Sequence, residues 1–158
     1  MKTENLKSLP NNFSAKGLRF ALVVSGFHRS IALKLEAGAR QFLQKRGASL
    51  RDIHVFQAPG SLEIPLLLKR LARSKRYNAL VALGVVIKGE TAHFEIVAGE
   101  AARGIAQVAY DFEIPVGNGV LTTYTVRQAL ERAGGRHGNK GEEAAAAALE
   151  MIFRLRIK

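Results

Sequence analysis

The sequence predicts an α/β protein whose sheet is parallel and covered by helices on both faces. Three observations predict it. Short apolar runs, RFALVVS, IHVFQA, ALVALGVVI and IPVGNGVLT, recur along the chain, amphipathic or alanine-rich stretches of helical length separate them, and Gly and Pro punctuate the joins. A parallel strand pair needs a crossover long enough to hold a helix, so alternating strands and helices imply a parallel sheet.

Each element has its own signal. Residues 1–16 are polar and are expected to form an arm ahead of one domain spanning 17–158. RFALVVS reads as a buried strand, and RSIALKLEAGARQFLQKRG as an amphipathic helix that Gly47 stops. IHVFQA is a second strand, and PGSLEIPLLLKRLARSK a second helix entered through Pro59 and Gly60. ALVALGVVI is the third strand. HFEIVAGEAARGIAQVAYDF follows as a helix with Phe94, Val97, Ala101 and Ile105 on one face. IPVGNGVLT is the fourth strand. Thr125 and Gln128 then fit a capping box opening a short helix, VRQALERA, ended by Gly134. EEAAAAALEMIFRLRIK is a final helix, with acids in its first turn and bases in its last.

Composition excludes several chemistries. With 158 residues, 47% of them hydrophobic, the chain is long enough for one packed core. It has no cysteine, which rules out disulfides, thiolate metal sites and thiol nucleophiles. The start lacks a signal-peptide core and no apolar run approaches membrane-spanning length, so the expected compartment is the cytoplasm. Lys and Arg number 24 against 13 Asp and Glu, a net charge of +11. That balance suits an anionic partner, whether nucleic acid, membrane surface or phosphorylated small molecule. The bases are scattered and not interleaved with aromatics, so a solvated surface is expected over a nucleic-acid footprint.

In a parallel sheet, ligands bind at the carboxyl ends of strands, near the point where strand order reverses. Strand one ends in Ser25-Gly26-Phe27-His28, where Phe27 either covers the sheet's rim or offers a stacking platform for a planar ligand. After strand two, the backbone of Ser61 and Leu62 can hydrogen-bond a flat heterocycle, and Glu63 is either a first-turn acid or a site residue. Strand three breaks into Lys88-Gly89-Glu90-Thr91 just where a helix begins, the outline of a phosphate site. His93 falls in that helix's first turn, as a structural residue or as an imidazole exchanging protons near neutral pH. Past strand four come Arg132 and the glycine-dense, basic turn 134–141. Together these signals describe a site for a planar ring plus a phosphate.

Ala58-Pro-Gly-Ser-Leu-Glu-Ile-Pro65, Gly84-Val-Val-Ile-Lys-Gly-Glu-Thr-Ala-His-Phe94, Gly104-Ile-Ala-Gln107, Gly119-Val-Leu-Thr122, Gln128-Ala-Leu-Glu-Arg-Ala-Gly134 and Gly138-Asn-Lys-Gly141 resemble the lumazine synthase family in order and spacing. The resemblance implies a flavodoxin-like three-layer sandwich with a four-stranded parallel sheet. It also implies condensation of 5-amino-6-(D-ribitylamino)uracil with 3,4-dihydroxy-2-butanone 4-phosphate to 6,7-dimethyl-8-ribityllumazine, the precursor of riboflavin. No cofactor or metal is implied. By position, it assigns Phe27 to stacking on the pyrimidine, and Ser61, Leu62, Glu63, Val85, Val86 and Ile87 to the ribitylaminouracil. Gly89, Glu90, Thr91 and Arg132 fall to the phosphate, with Lys140 close by, and His93 to proton transfer.

The resemblance further implies sites between adjacent subunits of a homopentamer, and riboflavin synthase as a possible partner. The short 134–141 connection resembles members that close pentamers into icosahedral shells. One departure stands out. Many members place an aromatic in the fourth strand facing the neighbouring subunit's pocket, where this chain has Gly117-Asn118-Gly119. Either the glycines serve close backbone approach and Asn118 is filler, or Asn118 hydrogen-bonds the pyrimidine edge. The competing readings are a shell-forming or nucleic-acid-binding protein without catalysis, and a flavin- or lumazine-binding carrier on the same fold.

Overall fold

The computed structural model describes residues 13–156. Its four-stranded sheet consists of β1 (Phe20–Ser25), β2 (Ile53–Ala58), β3 (Ala79–Ile87) and β4 (Val116–Thr123) in the order β2-β1-β3-β4. Every neighbouring pair is parallel. The helices are α1 (Arg29–Lys45), α2 (Ile64–Arg73), α3 (His93–Phe112), α4 (Val126–Glu131) and α5 (Lys140–Arg154). β1 is buried along its whole length, as the continuous apolar run FALVVS requires of a strand paired on both sides and covered on both faces.

The chain runs from β1 outward to β2, then crosses back over β1 to β3 and on to β4. Right-handed crossovers place α1 on one face and α2 and α3 on the other. The core divides accordingly. Phe20, Leu22 and Val24 pack with Leu35, Leu43 and Leu149 on the α1–α5 face. Ala21 and Val23 pack with Ile64, Leu68 and Ile105 on the α2–α3 face. Strand periodicity thus sends alternate residues of β1 into two different cores.

Close approach sets how α5 sits. A Cβ on Gly141 would collide with the Leu35 carbonyl of α1, and one on Gly117 with the Ala144 carbonyl of α5. Gly117 therefore serves close backbone approach. Asn139 caps α5, its Oδ1 accepting from the Gly141 and Glu142 N–H groups at 2.9 and 3.2 Å while its Nδ2 donates to the Lys34 carbonyl at 2.9 Å.

Several boundaries differ from the sequence expectation for identifiable reasons. Residues Ser61–Glu63 form a 3₁₀ turn before α2, leaving Pro65 within the first two positions of the helix, where its missing N–H costs nothing. α4 ends at Glu131, before Gly134, and residues 134–141 are not a plain turn. They contain a small antiparallel hairpin, β5 (Ala133–Gly135) and β6 (Gly138–Asn139). Thr125 accepts from the Gln128 N–H at 3.2 Å as a capping box requires, but the Gln128 side chain accepts from Tyr124 N–H at 2.9 Å, one residue earlier than expected. α5 begins at Lys140, two residues ahead of its acids.

Of the expected arm, residues 1–12 lie outside the described residues. Phe13 stacks on Phe153 with centroids 4.6 Å apart, and Ala15 is fully buried. Among the described residues no helix is long and apolar enough to cross a membrane.

Gly141→Ala should lower the unfolding free energy by about 2–3 kcal/mol, because backbone cannot yield as a side chain can. That corresponds to a melting temperature lower by roughly 4–12 °C. A wild-type melt would mean that α1 and α5 separate without cost.

Candidate active site

A cavity of about 450 Å³ opens at the carboxyl ends of β1, β2 and β3. It lies at the topological switch point, where β1 feeds β2 on one side and its neighbour β3 leads the other way. Its walls come from the ends of several elements. Phe27 and His28 follow β1, residues Gly60–Glu63 follow β2, and Val85, Val86 and Ile87 end β3. Gly89, Thr91, His93, Phe94 and Val97 belong to the turn and first residues of α3.

The Phe27 ring is 68% exposed and lies against Gly60, with the Glu63 carboxylate on the same glycine. An open aromatic face at the cavity mouth can stack on a planar ligand. Val85 and Val86 are buried and give an apolar floor. α3 follows Ala92, which has no side chain able to cap the first turn; the Glu95 N–H is taken by the Ala92 carbonyl at 3.2 Å, and the positive end of the helix lies at the Gly89–Thr91 turn. The His93 N–H reaches only the Thr91 hydroxyl, at 3.4 Å. Lys88 is engaged elsewhere, with Glu95 at 3.4 Å and the Tyr124 ring at 5.5 Å.

Two buried hydroxyls meet at Gly84, one of them in the cavity wall. Ser25 is 0% exposed and Ser61 4%, and neither Oγ has a hydrogen-bond partner among the described residues. Both crowd Gly84, whose missing side chain makes room for them: a Cβ there would sit 2.7 Å from Ser61 Oγ and 3.2 Å from Ser25 Oγ. Unpaired buried hydroxyls are uncommon and favour a ligand that brings partners to them.

Ten residues anticipated from the sequence thus meet in one cavity: Phe27, Ser61, Leu62, Glu63, Val85, Val86, Ile87, Gly89, Thr91 and His93. Four do not line it. Glu90 lies in the same turn but outside the wall. Arg132 donates from a guanidinium nitrogen to the Gln128 carbonyl at 3.1 Å, and its own carbonyl accepts from the Lys140 N–H at 2.8 Å. Lys140 pairs with Glu143 at 3.1 Å. Arg132 and Lys140 therefore form a second cluster, flanking the β5–β6 hairpin that packs against α1. Asn118 stands exposed on the β4 edge, with its Oδ1 accepting from Val120 N–H at 3.0 Å.

Sequence reasoning missed His28, Gly60, Phe94 and Val97. His28 had a usable signal, standing between a strand end and a helix start. It adopts the left-handed conformation, φ 48°, and its carbonyl accepts from Ile31 and Ala32 N–H at 2.9 and 3.0 Å. Non-glycine residues held there mark turns with a specific purpose. Among the described residues no group of three or more His, Cys, Asp or Glu is placed to hold a metal ion.

Fold and cavity define a class: a parallel-sheet α/β enzyme with a small-molecule site at its switch point. The particular family follows from comparison. The chain belongs to the 6,7-dimethyl-8-ribityllumazine synthase family, whose model matches residues 17–156. Proteins of that name resemble it closely. The one from Nitratidesulfovibrio vulgaris (strain Miyazaki F) is 45% identical over 94% of this chain and 95% of its own length. That of Chlorobium phaeobacteroides is 47% identical over 93% and 95%. That of an Anaeromyxobacter species is 51% identical over 90% and 87%.

Ser25→Ala should leave the unfolding free energy of the ligand-free protein unchanged or raise it by up to about 1 kcal/mol, since no hydrogen bond is lost. Denaturant titration checks this. A loss above about 1 kcal/mol would show the hydroxyl to be paired in solution.

Proposed function

We propose that the protein condenses 5-amino-6-(D-ribitylamino)uracil with 3,4-dihydroxy-2-butanone 4-phosphate to give 6,7-dimethyl-8-ribityllumazine, phosphate and water. The observation that carries this reading is the meeting of an open aromatic ring, an imidazole and an uncapped helix start in one cavity. The family supplies the reaction. The cavity supplies what that reaction needs.

The ring system of the first substrate stacks on Phe27, with its polar edge at the Ser61–Glu63 turn and its face on Val85 and Val86. The phosphate of the second substrate sits at the Gly89–Thr91 turn, held by the α3 dipole. The amine attacks the ketone and an imine forms with loss of water. Phosphate then leaves, and the ring closes with loss of a second water. Each step moves a proton, and the His93 imidazole is the group placed to accept and return it. Holding both partners in one cavity removes much of the entropic barrier to their reaction.

Arg132, Lys140 and Asn118 serve the cavity of a neighbouring copy in a homopentamer. Exposed apolar side chains support this arrangement. Leu66, 74% exposed, and Ile96, 58%, flank the cavity, while Tyr124, 68%, and Val126, 50%, stand near the Arg132 cluster. The Tyr124 ring stands 6.2 Å from that of Phe94 in the cavity wall, so these side chains form an exposed apolar margin around the site that a neighbouring copy would bury. Across that joint the Arg132 guanidinium meets the phosphate and stabilises it as it departs. Asn118, its oxygen already occupied, offers its amide N–H groups to the pyrimidine edge. Closure of pentamers into a shell, a riboflavin synthase partner and a cytoplasmic location belong to the same reading.

The purified protein, given both substrates, should generate lumazine fluorescence well above the uncatalysed background. A rate equal to background would leave a carrier or shell protein as the better reading. His93→Gln should keep fold and substrate affinity while turnover falls about ten- to a thousandfold. Arg132→Ala should weaken phosphate by about 1.5–3 kcal/mol and leave ribitylaminouracil binding unchanged. Equal losses for both ligands would make Arg132 a structural residue.

A further inference from the structure

The net charge of +11 is far more than a two-substrate site with one phosphate requires. The fold gives that charge a location. In a parallel sheet every strand begins, and every following helix ends, at one pole, opposite the cavity. Bases scattered through the sequence at those ends are thereby gathered. Lys16 precedes β1, Arg46 follows α1, Arg51 precedes β2, Arg73 ends α2, and Lys75 and Arg76 lead into β3.

Short contacts knit these ends together. Ala15 N–H donates to the Arg46 carbonyl at 2.8 Å, and Asn78 N–H to the Arg19 carbonyl at 2.8 Å. His54 bridges the next pair, with Nε2 3.0 Å from the Arg51 carbonyl and Nδ1 2.8 Å from the Tyr77 hydroxyl. Arg46 is half-buried and held over the Phe42 ring at 5.5 Å, while the other five named cations are exposed. The carboxylates at this pole do little to balance them. Asp52 meets Arg19 at 3.9 Å, Glu150 is taken by Arg154 at 2.7 Å, and Asp111 and Glu113 close α3 beside β4, the strand farthest from β2.

We propose that this basic pole binds the phosphate backbone of a nucleic acid without reading its bases. Like charges gathered without carboxylate partners repel one another, and a polyanion relieves that repulsion. Guanidinium groups, which predominate here, bind phosphate oxygens bidentately. Among the described residues Phe42 and Tyr77 beside these cations are buried, and the exposed Tyr110 ends α3 with Asp111 on the β4 side, away from them, so recognition stops at phosphate. An anionic bilayer is a poorer match: the exposed apolar side chains Leu50, Tyr110 and Leu155 stand singly on three different segments, where interfacial binding takes a broad apolar face. The pole faces away from the cavity, so a bound polyanion leaves the reaction free to proceed.

The test is fluorescence anisotropy of the full chain with a labelled single-stranded RNA of mixed sequence, from 50 to 200 mM salt. Binding should be in the micromolar range and independent of base sequence, and should weaken steeply with salt. Arg51→Glu/Arg73→Glu/Arg76→Glu should weaken it at least tenfold and flatten the log–log salt slope by roughly 2, about 0.7 per contact removed. Lys34→Glu/Arg103→Glu/Arg127→Glu carries the same change in charge away from the pole and should bind nearly as wild type. Should the first triple fail to fold, Arg51→Gln/Arg76→Gln should still cut affinity severalfold. Equal losses in both triples would overturn the proposal, because overall charge would then explain the binding. So would absence of binding at 100 mM salt, or capture by phosphatidylserine vesicles without any by RNA. None of these readouts depends on lumazine formation.

Discussion

The parallel pairing of β1 on both of its edges is the constraint on which the rest of the structure depends. β1 bonds to β2 from Phe20 to Ser25 and to β3 from Phe20 to Val24. Once both neighbours run in its direction, three strand ends and three helix starts must share one rim. The reversal of strand order at β1 then opens a crevice that no side chain fills. Burial of β1 on both faces sustains this arrangement, since slipping its register by one residue would exchange Leu22 and Val23 between two separate cores.

That rim explains how so few residues can serve a two-substrate reaction. A ring, an imidazole and the positive end of a helix arrive together because each stands within a few residues of a strand end. The backbone supplies much of the polarity. Apolar Val85 and Val86 keep the floor dry, and in a drier site each remaining dipole acts more strongly. Among the described residues the cavity wall holds no lysine or arginine, and Lys88 and Arg29 at its rim are engaged with Glu95 and Gln57. In the reading advanced here, Arg132 of a neighbouring copy provides the cation. The opposite pole shows the same topology at work on charge.

The sequence made the strands legible because they are short apolar runs, and most site residues because they cluster at strand ends. Other features were hidden for physical reasons. The 3₁₀ turn at Ser61–Glu63 and the 133–139 hairpin are set by tertiary packing, which no local periodicity announces. Ser25 looked like the end of a strand, and only its position beside Gly84 and Ser61 gives its hydroxyl meaning. Arg132 and Lys140 matched the family's motif, yet the fold keeps them out of the cavity wall, beside the hairpin packed on α1. The basic residues seemed scattered because sequence order does not reveal which element ends share a pole.

The central claim is that cavity and guanidinium come from different copies of the chain. Co-expression of His93→Gln and Arg132→Ala chains tests it most directly. In a mixed head-to-tail ring, some joints pair an intact His93 cavity with an intact Arg132. Random assembly of equal amounts should then restore about a quarter of wild-type turnover, far above either variant alone. Turnover no greater than the average of the two separate variants would place both groups in the same chain's site and contradict the claim.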